Sequence, residues 1–250
     1  GLAEADPTYD IEGIDTAHKL AILVMMSYGM KISLDEIAVE GITKVEPVDI
    51  QFAREFGYRI KLLAISRNHG DHVEARVHPT MVPEKHLLAS INGAYNAIHF
   101  TGDAVGNVLL YGQGAGMMPT GSAVAADIVD IARNIQSDAV NRVPALSYLP
   151  DQFVDRRIST MEELSCPYYF RISAKDEPGV LASIAGILSK NGISIESVIQ
   201  KGRQKSGPVS VVMRTHTARE SSVTQALQEI DNLDVITTDT VKIRIMENDE

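Results

Sequence analysis

The strongest constraint on the fold is the order of the strands and helices predicted after residue 167. Runs of apolar and β-branched residues, separated by turn residues, predict four strands and two helices there. These are strands at 168–174, 193–200, 209–216 and 235–245, and helices at 179–190 and 218–230. The order strand–helix–strand–strand–helix–strand is the split βαβ, or ferredoxin-like, arrangement.

The first part of the chain mixes helices with strands in a different order. Apolar periodicity predicts helices at 15–30, 47–56 and 121–135, and the Asn68-His69-Gly70-Asp71 turn predicts a hairpin between strands at 58–66 and 73–82. Two further strands are expected at 94–100 and 107–111. We therefore expect an α/β (α+β) fold with a mixed sheet covered by helices. We predict domains at 1–136 and 167–247, joined by a polar, proline-containing linker at 137–166.

Composition narrows the class of protein. The formal net charge of −10 argues against a nucleic-acid or anionic-membrane surface, and no apolar run is long enough to cross a bilayer. Cys166 is the only cysteine and the histidines show no metal-ligand spacing, so we expect neither a disulfide framework nor a metal site. These features favour a reducing, cytoplasmic setting. Because functional-looking residues begin at once after Gly1, we expect a chain cut from a longer protein.

A charged cluster opens the chain. Asp15 and Lys19 are four residues apart at the start of a predicted helix, so their side chains share one face. Glu4 and Asp10 precede them on irregular backbone that can fold back over the helix start. Carboxylates suit a substrate that carries an α-ammonium group, and a lysine can exchange a proton with an alcohol or carbonyl oxygen. An ordinary surface ion pair explains the Asp15–Lys19 spacing equally well.

Two other segments carry candidate binding residues. Gly112, Gly114 and Gly116 form a turn before a long helix, which can approach a phosphate or pack tightly against a neighbouring segment. In the second part, Asp176 and the Asn191-Gly192 pair flank a helix, where capping alone accounts for them.

The opening run nevertheless resembles the signature of homoserine dehydrogenases. The matching residues are Glu4, Asp6-Pro7, Asp10-Ile11, Gly13, Asp15 and Lys19. The resemblance implies that Glu4, Asp10 and Asp15 bind homoserine and that Lys19, beside Asp15, moves the proton. It places Gly1 and Gly116 beside an NADP or NAD cofactor, which is bound mainly by a nucleotide-binding domain absent from this chain. Leu2 departs from the aromatic residue often found in the family.

The second part resembles ACT domains, which usually pair and bind a small amino acid. The resemblance implies effector contacts from Asp176, Gly179, Val180, Leu181 and Asn191, with threonine as the natural candidate. It also implies a homodimer or homotetramer that interconverts L-homoserine and L-aspartate 4-semialdehyde in threonine, methionine and isoleucine biosynthesis. We expect that the 250-residue chain alone does not catalyse this reaction. The alternative is a regulatory amino-acid-binding module without catalytic activity.

Overall fold

The structure is a computed structural model, and it describes residues 6–139, 142–200 and 208–247. An eight-stranded mixed sheet lies at its centre. The helices are α1 (Thr8–Ile11), α2 (Ile14–Tyr28), α3 (Pro47–Glu55), α4 (Met117–Gln136), α5 (Val180–Lys190) and α6 (Glu220–Asp231). The strands are β1 (Ala38–Val39), β2 (Tyr58–Asn68), β3 (His72–Pro83), β4 (Tyr95–Gly102), β5 (Gly106–Gln113), β6 (Arg157–Ile158), β7 (Ser165–Cys166), β8 (Tyr168–Ala174), β9 (Ile195–Gln200), β10 (Val209–Thr215), β11 (Ala218–Arg219) and β12 (Ile236–Ile245).

The second part of the chain has the predicted ferredoxin-like arrangement. Its elements follow the order β8–α5–β9–β10–α6–β12, interrupted only by the short β11, and its strands lie side by side as β12–β8–β10–β9. All three neighbouring pairs are antiparallel. Helices α5 and α6 cover this sheet with buried apolar side chains such as Ile184, Leu188, Val223 and Ile230. The predicted mixed α/β fold is confirmed.

The predicted hairpin in the first part is also confirmed. β2 and β3 pair in antiparallel register from Tyr58↔Pro83 to Asn68↔Val73, and Gly70 in the connecting turn has a positive φ of 91°. Only glycine adopts that conformation readily, which is why the turn forms there. β3 is the central strand of the first part, because it also pairs in parallel with β1 and β6.

One sheet spans both parts of the chain. β3 pairs in parallel with β12 through Thr80↔Arg244 and Met81↔Ile245. A shared apolar cluster lies beneath this junction, and it includes Phe52 and Met81 from the first part with Tyr169 and Ile243 from the second. Burying these side chains together makes the two parts one packed body.

The segment predicted as a linker lies along the first part. The Val154 amide donates to Gly29 O at 3.0 Å, the Lys31 amide to Val154 O at 3.2 Å, and the Ser159 amide to Val73 O at 2.9 Å. The segment therefore does not hold the two parts away from each other. The domain boundaries at 136 and 166 remain predictions.

Helix α4 begins four residues before its predicted start, at Met117, and none of its residues is buried. Its exposed apolar side chains include Met117 at 87%, Ile128 at 61% and Ile135 at 72% exposure. The preceding β4 and β5 form a separate two-stranded sheet. Among the described residues, no helix is both long enough and apolar enough to cross a membrane.

Candidate active site

The candidate site is centred on the first turns of α2. Lys19 donates a hydrogen bond to Asp15 one turn earlier, as the spacing predicts. The two side chains are 63% and 43% exposed, so solvent and a ligand can reach them. An ammonium held by one carboxylate at the surface of a helix start can exchange a proton with a bound alcohol. The catalytic roles of Asp15 and Lys19 remain predictions.

Gly13 fixes where this helix begins. It precedes α2 with a left-handed φ of 78° and ψ of 13°. A Cβ atom at Gly13 would lie 3.1 Å from Val77 Cγ1 and 3.3 Å from Val39 Cγ1. Only glycine combines this backbone conformation with such close packing. Gly13 thereby holds the start of α2, with Asp15, directly against the sheet.

The expected convergence of carboxylates on Lys19 is only partly present. Asp10 lies exposed on the short helix α1, and within the described residues no hydrogen bond or ion pair joins its side chain to Asp15 or Lys19. The backbone of Thr8–Ile11 is helical instead of an irregular loop, with the Ile11 amide donating to Pro7 O at 3.0 Å. Glu4 and Gly1 lie outside the described residues.

The segment just before Asp10 is held by a local cap. Asp6 Oδ1 accepts hydrogen bonds from the Thr8 hydroxyl at 2.6 Å and from the Thr8 amide at 3.1 Å. These hydrogen bonds hold the pKa of Asp6 below its usual value. Asp6 therefore stays charged and holds the first residue of α1.

In the glycine-rich turn at residues 112–116, close packing requires a glycine at position 114. A Cβ atom there would collide with the Asn96 side chain, whose Nδ2 atom lies 1.5 Å from the position it would take. Gly116 immediately precedes α4, with a φ of 129°, and is partly exposed. Packing explains Gly114, whereas the partly exposed backbone at Gly116 fits the close approach of one end of a cofactor. The contact from Gly116 remains a prediction.

The predicted effector residues lie at the two ends of α5. Gly179 precedes the helix in the left-handed conformation, with open space around it, while Leu181 is 43% and Val180 7% exposed. Asp176 is exposed in the same loop. At the other end the Asn191 side chain donates to Ile187 O at 3.0 Å, and Gly192 has the predicted left-handed φ of 73°. The capping interpretation of Asn191-Gly192 is confirmed, and the effector roles remain predictions.

A buried polar cluster between the two parts was not predicted. Burial, together with the Arg244 charge, lowers the pKa of His78 to about 3. Although burial alone would raise the pKa of Glu220, its hydrogen bonds to Arg244 and Lys242 lower it to about 2. Burial raises the pKa of the Cys166 thiol to about 11, which agrees with an unreactive cysteine. No sequence pattern marked this cluster, because its residues come from four separate elements and burial in β3 is continuous instead of alternating.

The family models match both parts of the chain. Residues 1–129 match the homoserine dehydrogenase model, and residues 168–235 match the ACT domain model. The first match contains every residue of the candidate site and covers slightly more than half of the chain. The chain belongs to the homoserine dehydrogenase family.

Individual members agree with this assignment. The homoserine dehydrogenase of Pseudomonas aeruginosa is 46% identical over 98% of this chain and 57% of its own length. That of Helicobacter pylori is 44% identical over 99% of this chain and 57% of its own length. The crystal structure of a homoserine dehydrogenase from Thiobacillus denitrificans superposes with a TM-score of 0.89, at 44% identity, over 98% of this chain and 56% of that one. The chain thus spans little more than half the length of these relatives.

Proposed function

We propose that this chain is the substrate-binding and regulatory part of a homoserine dehydrogenase, which interconverts L-homoserine and L-aspartate 4-semialdehyde. The observation that carries the proposal is the accessible Asp15–Lys19 pair at the start of α2, inside the segment matched by the family. The sequence belongs to a biosynthetic family, and we propose a role in threonine, methionine and isoleucine synthesis in the cytoplasm.

The chemistry assigned to this chain is proton transfer and orientation. In the oxidation direction Lys19, in its neutral form, takes the proton of the homoserine hydroxyl, and in reduction its ammonium returns that proton to the aldehyde oxygen. Asp15 holds the Lys19 side chain in place through their hydrogen bond. Glu4 and Asp10 accept hydrogen bonds from the substrate α-ammonium group.

NAD⁺ or NADP⁺, when bound, would accept the hydride that leaves the alcohol carbon of homoserine. From this chain, the exposed turn at Gly116 before α4 would contact one end of it, and the family resemblance adds Gly1. The sequence has no G-x-G-x-x-G run after a strand, so the rest of the cofactor would be held by another part of the full-length protein. We therefore expect no NADPH formation when the 250-residue chain alone is given homoserine and NADP⁺.

Steady-state kinetics of the full-length protein test the substrate assignment. Wild-type protein should oxidise homoserine with NAD⁺ or NADP⁺. In Asp10→Asn the KM for homoserine should rise by about tenfold or more, the size expected when one charge-assisted hydrogen bond is lost. Asp35→Asn, an exposed carboxylate outside the site, is the matched control and should leave KM unchanged. Equal KM values for all three proteins would contradict the role of Asp10.

The second part supports a regulatory role. The Gly179 turn and the exposed Leu181 beside Asp176 provide an accessible surface at the start of α5, within the ACT match. We propose that a small amino acid, with threonine first, binds between two copies of the chain in a homodimer or homotetramer, using this surface together with the Asn191-Gly192 end of α5. Calorimetric titration with threonine should show binding that Asn191→Ala removes and Lys19→Ala leaves intact. The opposite pattern would contradict the effector site.

A further inference from the structure

A buried arginine of the ACT part is paired with a carboxylate of the first part. Arg244, on β12, is 2% exposed. It donates two hydrogen bonds of 2.8 Å to the carboxylate of Glu40, and two more, at 2.8 and 2.6 Å, to Glu220 on α6. The guanidinium is therefore shared between a residue of each part. Because Glu220 is almost fully buried, Arg244 keeps a partner in the ACT part even if Glu40 is removed.

The two residues that follow Glu40 contact the backbone of the candidate site. The Ile42 amide donates to Ile11 O at 2.8 Å. At Gly41 a Cβ atom would lie 2.5 Å from Ile11 O and 2.6 Å from Glu12 Cα, so the two backbones are in direct contact. Ile11 and Glu12 lie between Asp10 and Gly13. The backbone of the proposed substrate-binding segment thus rests on the residues that follow Glu40.

We infer that Glu40 is a positioning residue, through which Arg244 of the ACT part holds residues 10–19 in place for the substrate. The link consists of the bidentate Arg244–Glu40 ion pair and the backbone contact of Gly41 and Ile42 with residues 11–12. No other described side chain lies between them. Glu40 is 47% exposed and Arg244 also pairs with Glu220, so the Glu40 ion pair can open without leaving an unpaired buried charge. Such a contact can transmit a shift of the ACT part to the first part.

A second ion pair provides a matched control. Glu46, also of the first part, meets the buried Arg171 of the ACT part at 3.2 Å and is 61% exposed. Like Arg244, Arg171 retains a buried carboxylate, that of Asp49, when its exposed partner is removed. Glu46 immediately precedes α3 and lies further from residues 10–19 along the backbone, because among the described residues its neighbour Val45 reaches them only through the Val45 amide hydrogen bond to Ile42 O. Glu40→Gln and Glu46→Gln therefore remove equivalent charges at two different places.

Hydrogen–deuterium exchange of the 250-residue chain tests the inference without any ligand. In Glu40→Gln the amides of residues 10–17 and of Ile42 should exchange about two- to fivefold faster than in wild type, as expected for loss of a half-exposed ion pair. In Glu46→Gln the same amides should exchange at the wild-type rate. Equal exchange at 10–17 in Glu40→Gln and wild type would overturn the inference. So would a rise that extends over α5 and β10, because it would indicate general destabilisation.

The catalytic consequence rests on the proposed function and is measured separately. In the full-length protein, Glu40→Gln should raise the KM for homoserine about two- to fivefold with little change in kcat, while Glu46→Gln should change neither. If the wild-type protein oxidises no homoserine, the proposed function fails, while the exchange experiment still decides whether Glu40 positions the segment. An unchanged KM in Glu40→Gln alongside wild-type activity would overturn the positioning role.

Discussion

Arg171 on β8 and Asp49 on α3 form a buried ion pair across the boundary between the two parts of the chain. Arg171 Nε donates to Asp49 Oδ1 at 2.7 Å and its Nη2 donates to Oδ2 at 3.1 Å. The Tyr169 hydroxyl donates to the same Oδ1 at 2.9 Å. Asp49 is completely buried, so these three hydrogen bonds compensate for the loss of water around its charge.

Removing the Asp49 carboxylate should strongly destabilise the folded protein. In Asp49→Ala the free energy of unfolding should fall by about 3–5 kcal/mol, because Arg171 and the Tyr169 hydroxyl lose their buried partner. Urea unfolding followed by circular dichroism measures the change. Glu46→Gln, which removes only the exposed partner of Arg171, should cost at most about 1 kcal/mol. Losses of equal size in the two variants would contradict the assigned difference in burial.

The buried His78 should make stability depend on pH. Its folded pKa of about 3 lies below the ordinary value of 6.5, so between these limits the unfolded chain binds a proton that the folded chain does not. The resulting stability is fully present above pH 6.5 and is lost as pH falls, by up to about 1.4 kcal/mol per pH unit. The contribution of Glu220, lowered from 4.5 to about 2, is lost only below about pH 4.5.

Urea unfolding at intervals between pH 7.5 and 5 therefore isolates the His78 contribution. His78→Gln should flatten the decline of the unfolding free energy over this range, whatever its effect on absolute stability. His216→Gln removes an imidazole from an exposed position and serves as the control. If His78→Gln declines as steeply as wild type, His78 is not the group responsible.

Two glycines with similar backbone conformations should respond differently to alanine. Gly57 has a φ of 80° and open space around it, so Gly57→Ala should cost only the strain of the left-handed conformation, about 1–2 kcal/mol. Gly13 has a φ of 78° but contacts Val77 and Val39, so Gly13→Ala should cost about 1–3 kcal/mol more, from crowding. Thermal or urea unfolding of both variants measures the difference. A smaller loss in Gly13→Ala would contradict the close packing at the start of α2.

Local signals made much of this fold predictable. The Asn68–Asp71 turn fixed the β2–β3 hairpin, and alternating apolar runs with capping glycines fixed the ferredoxin-like order of the second part. The Asp15–Lys19 pair follows from helix geometry alone. In each case the decisive residues lie within a few positions of one another.

Contacts between distant residues were not predictable. Arg244 pairs with Glu40 across 204 positions and Arg171 with Asp49 across 122, and no local pattern selects these partners. The sheet junction at β3 and β12 is missed for the same reason. The helical pattern of α4 was recognised, but periodicity gives no information on whether its apolar residues are covered. The proposed roles of Asp10 and Lys19 rest on the family resemblance, because spacing alone left them open.

Turnover by the full-length protein decides whether Lys19 moves the proton. Lys19→Ala should lower kcat/KM for homoserine by about 10²–10⁴-fold, the range of general acid–base catalysis, while circular dichroism and thermal unfolding stay close to wild type because the side chain is exposed. Lys31→Ala, an exposed lysine just beyond α2, should retain wild-type kinetics. Wild-type turnover by Lys19→Ala would show that Lys19 does not move the proton.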